Sequence, residues 1–334
     1  MFDRLASAVL FATLAFSGIA GPAVAQTASI EADHIRADIK VRASTVAPGD
    51  TTDIALVHTI EPGWHTYWVN PGDSGEPPIV EWTLTGGGTA GPLSFPAPER
   101  LPYPPLMNHG YKDNFTLLTD ITIPAEWPVG EPYPVDVRVD WLVCEAICIP
   151  EGGTASFTIP TALDTVADST VAFTFMQAEW ALPKPTDAAV TYHRDGDALV
   201  ISSPVGSAED AQFFAFQRDA IDHAAPQTAA ADGEGVALTL TPGGGRLTGT
   251  LEGVITSSEG AIKVVATGPA DPEEVAAAAA VPTASGVPEI VLGSNVREAA
   301  PASGNFSVSF GQAILFAFLG GMLLNLMPCV FPVL

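Results

Sequence analysis

Apolar and polar residues alternate with a period of two over most of the chain. Ile35, Ala37, Ile39 and Val41 interleave with Arg36, Asp38, Lys40 and Arg42, giving one apolar and one polar strand face, and Pro48-Gly49-Asp50 ends the run in a turn. Similar runs over 54–60, 64–69, 80–84, 115–123 and 135–143 are separated by Pro- and Gly-rich punctuation, and together they predict a β-sandwich. A helical stretch over 171–180 and a Pro183-Lys184-Pro185 linker lead into a second block. There, strands over 189–193 and 198–202 flank Asp195-Gly196, a hairpin-turn signal, and alternation continues over 236–240, 247–251 and 262–266. The pattern predicts an all-β chain with two β-rich domains in tandem, 26–170 and 171–272. The second has neither a cysteine nor a recognisable catalytic cluster and reads as a spacer or docking module.

Both ends break the pattern. Residues 1–25 combine an apolar run from Leu5 to Ala20 with an Ala23-Val24-Ala25 cleavage motif, the pattern of a secretory signal peptide. The alanine-rich stretch at 273–280 and the small, polar, proline-punctuated residues after it read as a linker, 273–305. From Phe306 to Leu334 there is no charged residue and enough length to cross a bilayer as a helix. Pro328, Cys329 and Pro332 within it suit a broken, functional membrane helix better than an inert anchor, so the chain reads as the front part of a longer membrane protein.

Composition narrows the partners. With 13 Lys+Arg against 38 Asp+Glu, the net charge of −25 repels phosphate backbones, which excludes nucleic acid. Export places the following chain in an oxidising compartment, where a cysteine pair is more than incidental.

Two of the three cysteines, Cys144 and Cys148, lie in WLVCEAICIPE at the end of the 135–143 run. Val135, Val137, Val139, Trp141 and Val143 share one face, so a continued pleat puts Cys144 on the more polar face, and an accessible sulfur is expected there. Fully extended chain would hold the two residues roughly 13 Å apart, beyond the span of about 7 Å that a disulfide tolerates. A paired state therefore needs a bend, and Pro150, Gly152 and Gly153 before the resumed alternation at Ala155, Phe157 and Ile159 put the pair at the neck of a hairpin. So small a loop stabilises by only about 2 kcal/mol, which favours a redox role over a staple. Zinc lacks ligands, since only Glu145 and Glu151 are near in sequence. Copper held by the thiols with Met107 or His109 stays open as a rival, as does a structural pair. Both glutamates disfavour a thiolate, which points to an electron carrier rather than a strong oxidant.

Three stretches carry a likeness to a known family: GWHTYWVNPGDSGEPP (63–78) with FPAPERLPYPPLMNHGY (95–111), VDWLVCEAICIPE (139–151), and LNLMPCVFPVL (324–334). Together they resemble the membrane thiol:disulfide interchange proteins DsbD and their suppressor-of-copper-sensitivity relatives ScsB. The resemblance implies immunoglobulin-like sandwiches followed by the first transmembrane helix of an electron-conducting domain. It also implies a protein-disulfide reductase on the periplasmic face of the inner membrane, with Cys144 and Cys148 as the redox pair and Cys329 as the first membrane cysteine. Electrons would pass from the membrane and thioredoxin-like domains of the same protein to this pair and on to periplasmic thioredoxin-like partners, with no cofactor and no bound metal. The family shields its pair with a mobile loop, which maps onto Met107, Asn108, His109 and Tyr111, with His109 or Tyr111 covering the sulfurs. The C-x3-C spacing favours the copper-tolerance branch.

Overall fold

The computed structural model describes residues 27–270. The expected signal peptide, linker and membrane segment with Cys329 lie outside the described residues. Among the described residues no helix is long and apolar enough to cross a membrane.

In chain order, the first part forms β1 (Ala28–Glu31), β2 (Ile35–Val41), β3 (Ala43–Thr45), β4 (Thr51–Ile60), β5 (Thr66–Gly72), β6 (Ile79–Leu84) and β7 (Thr89–Ala90). It continues with β8 (Glu99–Tyr103), β9 (Leu106–Tyr111), β10 (Phe115–Thr122), β11 (Tyr133–Cys144), β12 (Cys148–Ile159), β13 (Val166–Ala167) and α1 (Ala172–Ala181). A five-stranded sheet, β1-β2-β4-β10-β7, and a three-stranded sheet, β12-β11-β6, enclose one core. Strand β11 shows why: Val135, Val137, Val139, Trp141 and Val143 are all buried while Asp136 and Arg138 face water. Each such side chain contributes roughly 1.5–3 kcal/mol when withdrawn from solvent.

The Pro-rich stretch around residue 100 pairs as a hairpin. Strand β8 runs antiparallel to β9, and β9 to β5, in a separate three-stranded sheet. Period-two alternation is weak there because three prolines interrupt it.

Helix α1 is apolar on nearly every side. Phe175 and Ala178 pack with Val171 against Ala55 of β4 and Leu118 of β10, while Phe173, Met176 and Trp180 are exposed. The helix stops at Leu182, whose backbone is extended as a residue before proline requires.

The second part forms β14 (Lys184–Pro185), β15 (Thr191–Asp195), β16 (Ala198–Ser203), β17 (Gln212–Ala215), β18 (Thr228–Asp232), β19 (Gly235–Leu240), β20 (Thr250–Ser257) and β21 (Gly260–Thr267). These make one eight-stranded sheet with its own core. The β15–β16 hairpin turns at Gly196, which has a φ of 58°, where only glycine is unstrained. The strand expected over 247–251 lies instead at β20, with Leu247 buried ahead of it. Phe214 of β17 and Val254 of β20 reach out of their own sheet into the core of the first sandwich.

Candidate functional site

Strands β11 and β12 form a hairpin in which Cys144 and Cys148 are direct cross-strand partners. Their sulfurs are bonded at 2.05 Å, with 4.1 Å between Cα atoms. Residues 145–147 make the turn, closed by Glu145 N–H donating to Ile147 O. The backbone of Cys144 is also locked on its other side: its N–H donates to His65 O and its carbonyl accepts from His65 N–H, both at 2.9 Å. Thr66 Oγ1 adds a bond to Leu142 O at 2.9 Å. The end of β11 is thus clamped between β12 and the start of β5.

The two sulfurs differ in exposure. Cys144 does lie on the face opposite the valines, as its phase predicts, yet it is 2% exposed rather than accessible. Residues of β5 cover it. Cys148 is exposed, next to Ile147, which is 68% exposed.

The covering group is Tyr67. Its hydroxyl lies 2.8 Å from Cys144 Sγ and 3.4 Å from Cys148 Sγ. Burial, reinforced by the nearby Tyr103, pushes its pKa up to about 12, so the phenol keeps its proton and can donate to sulfur. The Tyr67 ring lies against Gly75, whose φ is 93° and where any Cβ would overlap the ring. The loop carrying Gly75 is held to β9, because Asp73 Oδ2 accepts from Met107 N–H at 2.8 Å and Ser74 Oγ donates to Asn108 Oδ1 at 2.7 Å. Imidazole His65 stands edge-on to Tyr67 at 5.6 Å, and burial lowers its pKa, which keeps the ring neutral at pH 7.

The residues expected to cap the sulfurs take other places. His109 is fully buried against Phe214 and His223, at ring distances of 4.9 and 4.8 Å, and Tyr111 donates to Pro96 O while stacking on Phe115. Met107 and Asn108 act one step away, by anchoring the loop that seats Tyr67. The hairpin does reach the redox turn, through Tyr103, whose hydroxyl lies 3.4 Å from Ala146 O. The copper set of Cys144 and Cys148 with His109 is therefore not assembled in this structure.

Glu151 shares the face of Trp141, opposite the sulfurs, and its carboxylate lies 2.5 Å from His34 Nδ1 and 3.5 Å from Trp141 Nε1. Its charge is engaged with His34 and does not face the thiols.

Sequence reasoning missed Tyr67, Tyr103, His65 and Gly75. Tyr67 stands 77 residues from Cys144, and no local periodicity links the two.

Residues 31–160 match the family described as "Thiol:disulfide interchange protein DsbD, N-terminal". No curated protein sequence matches the chain. Among solved structures, the N-terminal periplasmic domain of ScsB from Proteus mirabilis is similar, with a TM-score of 0.53 and 18% identity over 72% of this chain and 95% of that one. That likeness extends the shared fold beyond the first sandwich. Over residues 31–160, the chain is therefore similar to the N-terminal domain of the DsbD thiol:disulfide interchange proteins.

Proposed function

We propose that the protein is a periplasmic thiol–disulfide exchange module in which Cys144 and Cys148 accept two electrons from a dithiol and deliver them to a partner disulfide. The observation that carries this reading is the asymmetry of the pair, with Cys148 exposed and Cys144 buried under a protonated phenol.

In the loading step, a thiolate of an incoming dithiol attacks Cys148 Sγ. The Cys144–Cys148 bond breaks, a mixed disulfide to Cys148 forms, and Cys144 leaves as a thiolate that Tyr67 O–H stabilises. The donor's second thiolate then attacks its own sulfur in the mixed disulfide and releases Cys148. The donor ends as a disulfide and the pair as a dithiol. Unloading runs the same steps backwards: Cys148 thiolate attacks the acceptor disulfide, and Cys144 resolves the intermediate.

The direction we favour is reductive, with electrons supplied from the membrane side and passed to periplasmic thioredoxin-like proteins, on the copper-tolerance branch that the C-x3-C spacing suggests. Exposed Ile147 beside Cys148, and exposed Tyr103 whose hydroxyl reaches Ala146 O of the turn, support docking of a protein rather than a small thiol. The test is a trapping experiment. Cys144→Ser should accumulate a mixed disulfide through Cys148 with a thioredoxin-like dithiol protein, and Cys148→Ser should not. Equal trapping by both variants, or by neither, would overturn the assignment, and a double Ser variant that still reduces a partner at the wild-type rate would overturn the function.

A further inference from the structure

Strand β5 faces two ways. Tyr67 points to the sulfurs, while Trp68 and Asn70 meet residues of the second β-domain. The strand pairing explains how: Tyr67 opposes Gly110 and Gly72 opposes Asn108, so residues 67–72 of β5 lie against only 108–110 of β9. The surplus chain bulges away from β9. Within it, Trp68 and Asn70 are 1% and 0% exposed, whereas Val69 is partly open to solvent.

Asn70 makes full use of its amide in that position. Its Nδ2 donates to Ala215 O at 2.7 Å and lies 3.5 Å from Gln217 O, and its Oδ1 accepts from Gly72 N–H at 3.1 Å. Trp68 stacks on Phe216 at 5.2 Å and meets Phe214 edge-on at 6.1 Å. Among the described residues the indole N–H has no hydrogen-bond partner, so Trp68 contributes through its ring. On β8, the far strand of the same sheet, Arg100 Nη2 donates to His223 O and Ala225 O at 2.6 and 3.0 Å. The second domain therefore grips β5 at Trp68 and Asn70, one and three residues after Tyr67.

We propose that the second β-domain is a positioning element for the disulfide, with Asn70 and Trp68 as positioning residues that set the Tyr67 hydroxyl against Cys144. This rests on the exchange reading above. It assigns the second domain a part in the chemistry without giving it a reactive group. Beyond its strand pairing with Gly110, Tyr67 is held by the Gly75 loop on its ring and by the Trp68–Asn70 clamp on the backbone that follows it. Releasing the clamp lets the backbone of β5 shift, and a shift of about 1 Å is enough to lose a hydrogen bond of this kind.

The experiment is a double-mutant cycle in the full chain, reading the equilibrium of the pair with glutathione. Asn70→Ala should change that equilibrium roughly three- to tenfold, the scale of one hydrogen bond. It should raise the pH at which the reduced pair becomes alkylation-competent. In a Tyr67→Phe background the same substitution should change neither. If Asn70→Ala fails to fold, Phe216→Leu loosens the same clamp from the other side and carries the same expectation. An effect of equal size in both backgrounds, or a folded variant with none, overturns the proposal. The glutathione equilibrium needs no partner protein, so its outcome is separate from the trapping experiment that tests the function itself.

Discussion

The hydroxyl of Tyr67 lies 2.8 Å from Cys144 Sγ and 3.4 Å from Cys148 Sγ, so one phenol touches both members of the disulfide. When the pair is reduced, an O–H donor at that place favours the Cys144 thiolate over the thiol. Tyr67→Phe should raise the apparent pKa of the buried thiol by roughly one unit. The pH dependence of iodoacetamide alkylation in the reduced protein reads this directly. A profile that does not move would remove Tyr67 from the chemistry.

Gly75 supplies the floor on which that phenol rests. Gly75→Ala introduces a Cβ into the Tyr67 ring at a φ that side chains rarely adopt, so destabilisation of about 1–3 kcal/mol is expected. The same substitution should shift the alkylation profile in the direction of Tyr67→Phe, because the ring must move. Urea unfolding combined with the alkylation assay separates the two effects. Loss of stability with an unchanged profile would show that Tyr67 does not depend on this contact.

Acid should destabilise the fold through buried imidazoles. Burial lowers the pKa of His58 from 6.5 to about 4 and that of His109 to about 3, the latter helped by the charges of His223 and Arg100. The unfolded chain therefore binds more protons than the native one below pH 6.5. The stability that these neutral rings confer is complete above that pH and is lost as pH falls toward the folded values, by about 1.4 kcal/mol per pH unit for each ring. His58→Phe, beside the stacked Phe115, should reduce the pH dependence of the urea midpoint by the equivalent of one proton. An unaltered dependence would mean that His58 is not held neutral by the fold.

Glu151 separates local sequence from local space. Its carboxylate is largely buried with His34, so Glu151→Ala strands a partner and should cost on the order of 2–4 kcal/mol. The alkylation profile of the cysteines should stay where it is, because the side chain leaves β12 on the face opposite the sulfurs. A clear downward shift in thiol pKa would instead restore Glu151 as an electrostatic neighbour of the pair.

Alternation and turn chemistry were enough to read the β-sandwich, the hairpin at Asp195-Gly196, the short helix, and the placing of Cys144 and Cys148 at a hairpin neck. These are short-range properties, in which side-chain direction repeats every second residue and glycine or proline marks the turns. The face of Cys144 was legible for the same reason, but its burial was not. What covers it arrives on β5 through a strand pairing that joins His65 to Cys144 across the sequence. Other long-range contacts hold His109 against Phe214 and His223 and Tyr111 on Phe115, bring Tyr103 to the redox turn, and give Glu151 its partner His34. Composition and spacing determined that this chain carries a redox-capable pair in a β-hairpin. Only the tertiary structure decided which sulfur is open to a partner, which phenol serves the other, and that the second domain holds the strand bearing that phenol, because those depend on register between strands that no local pattern encodes.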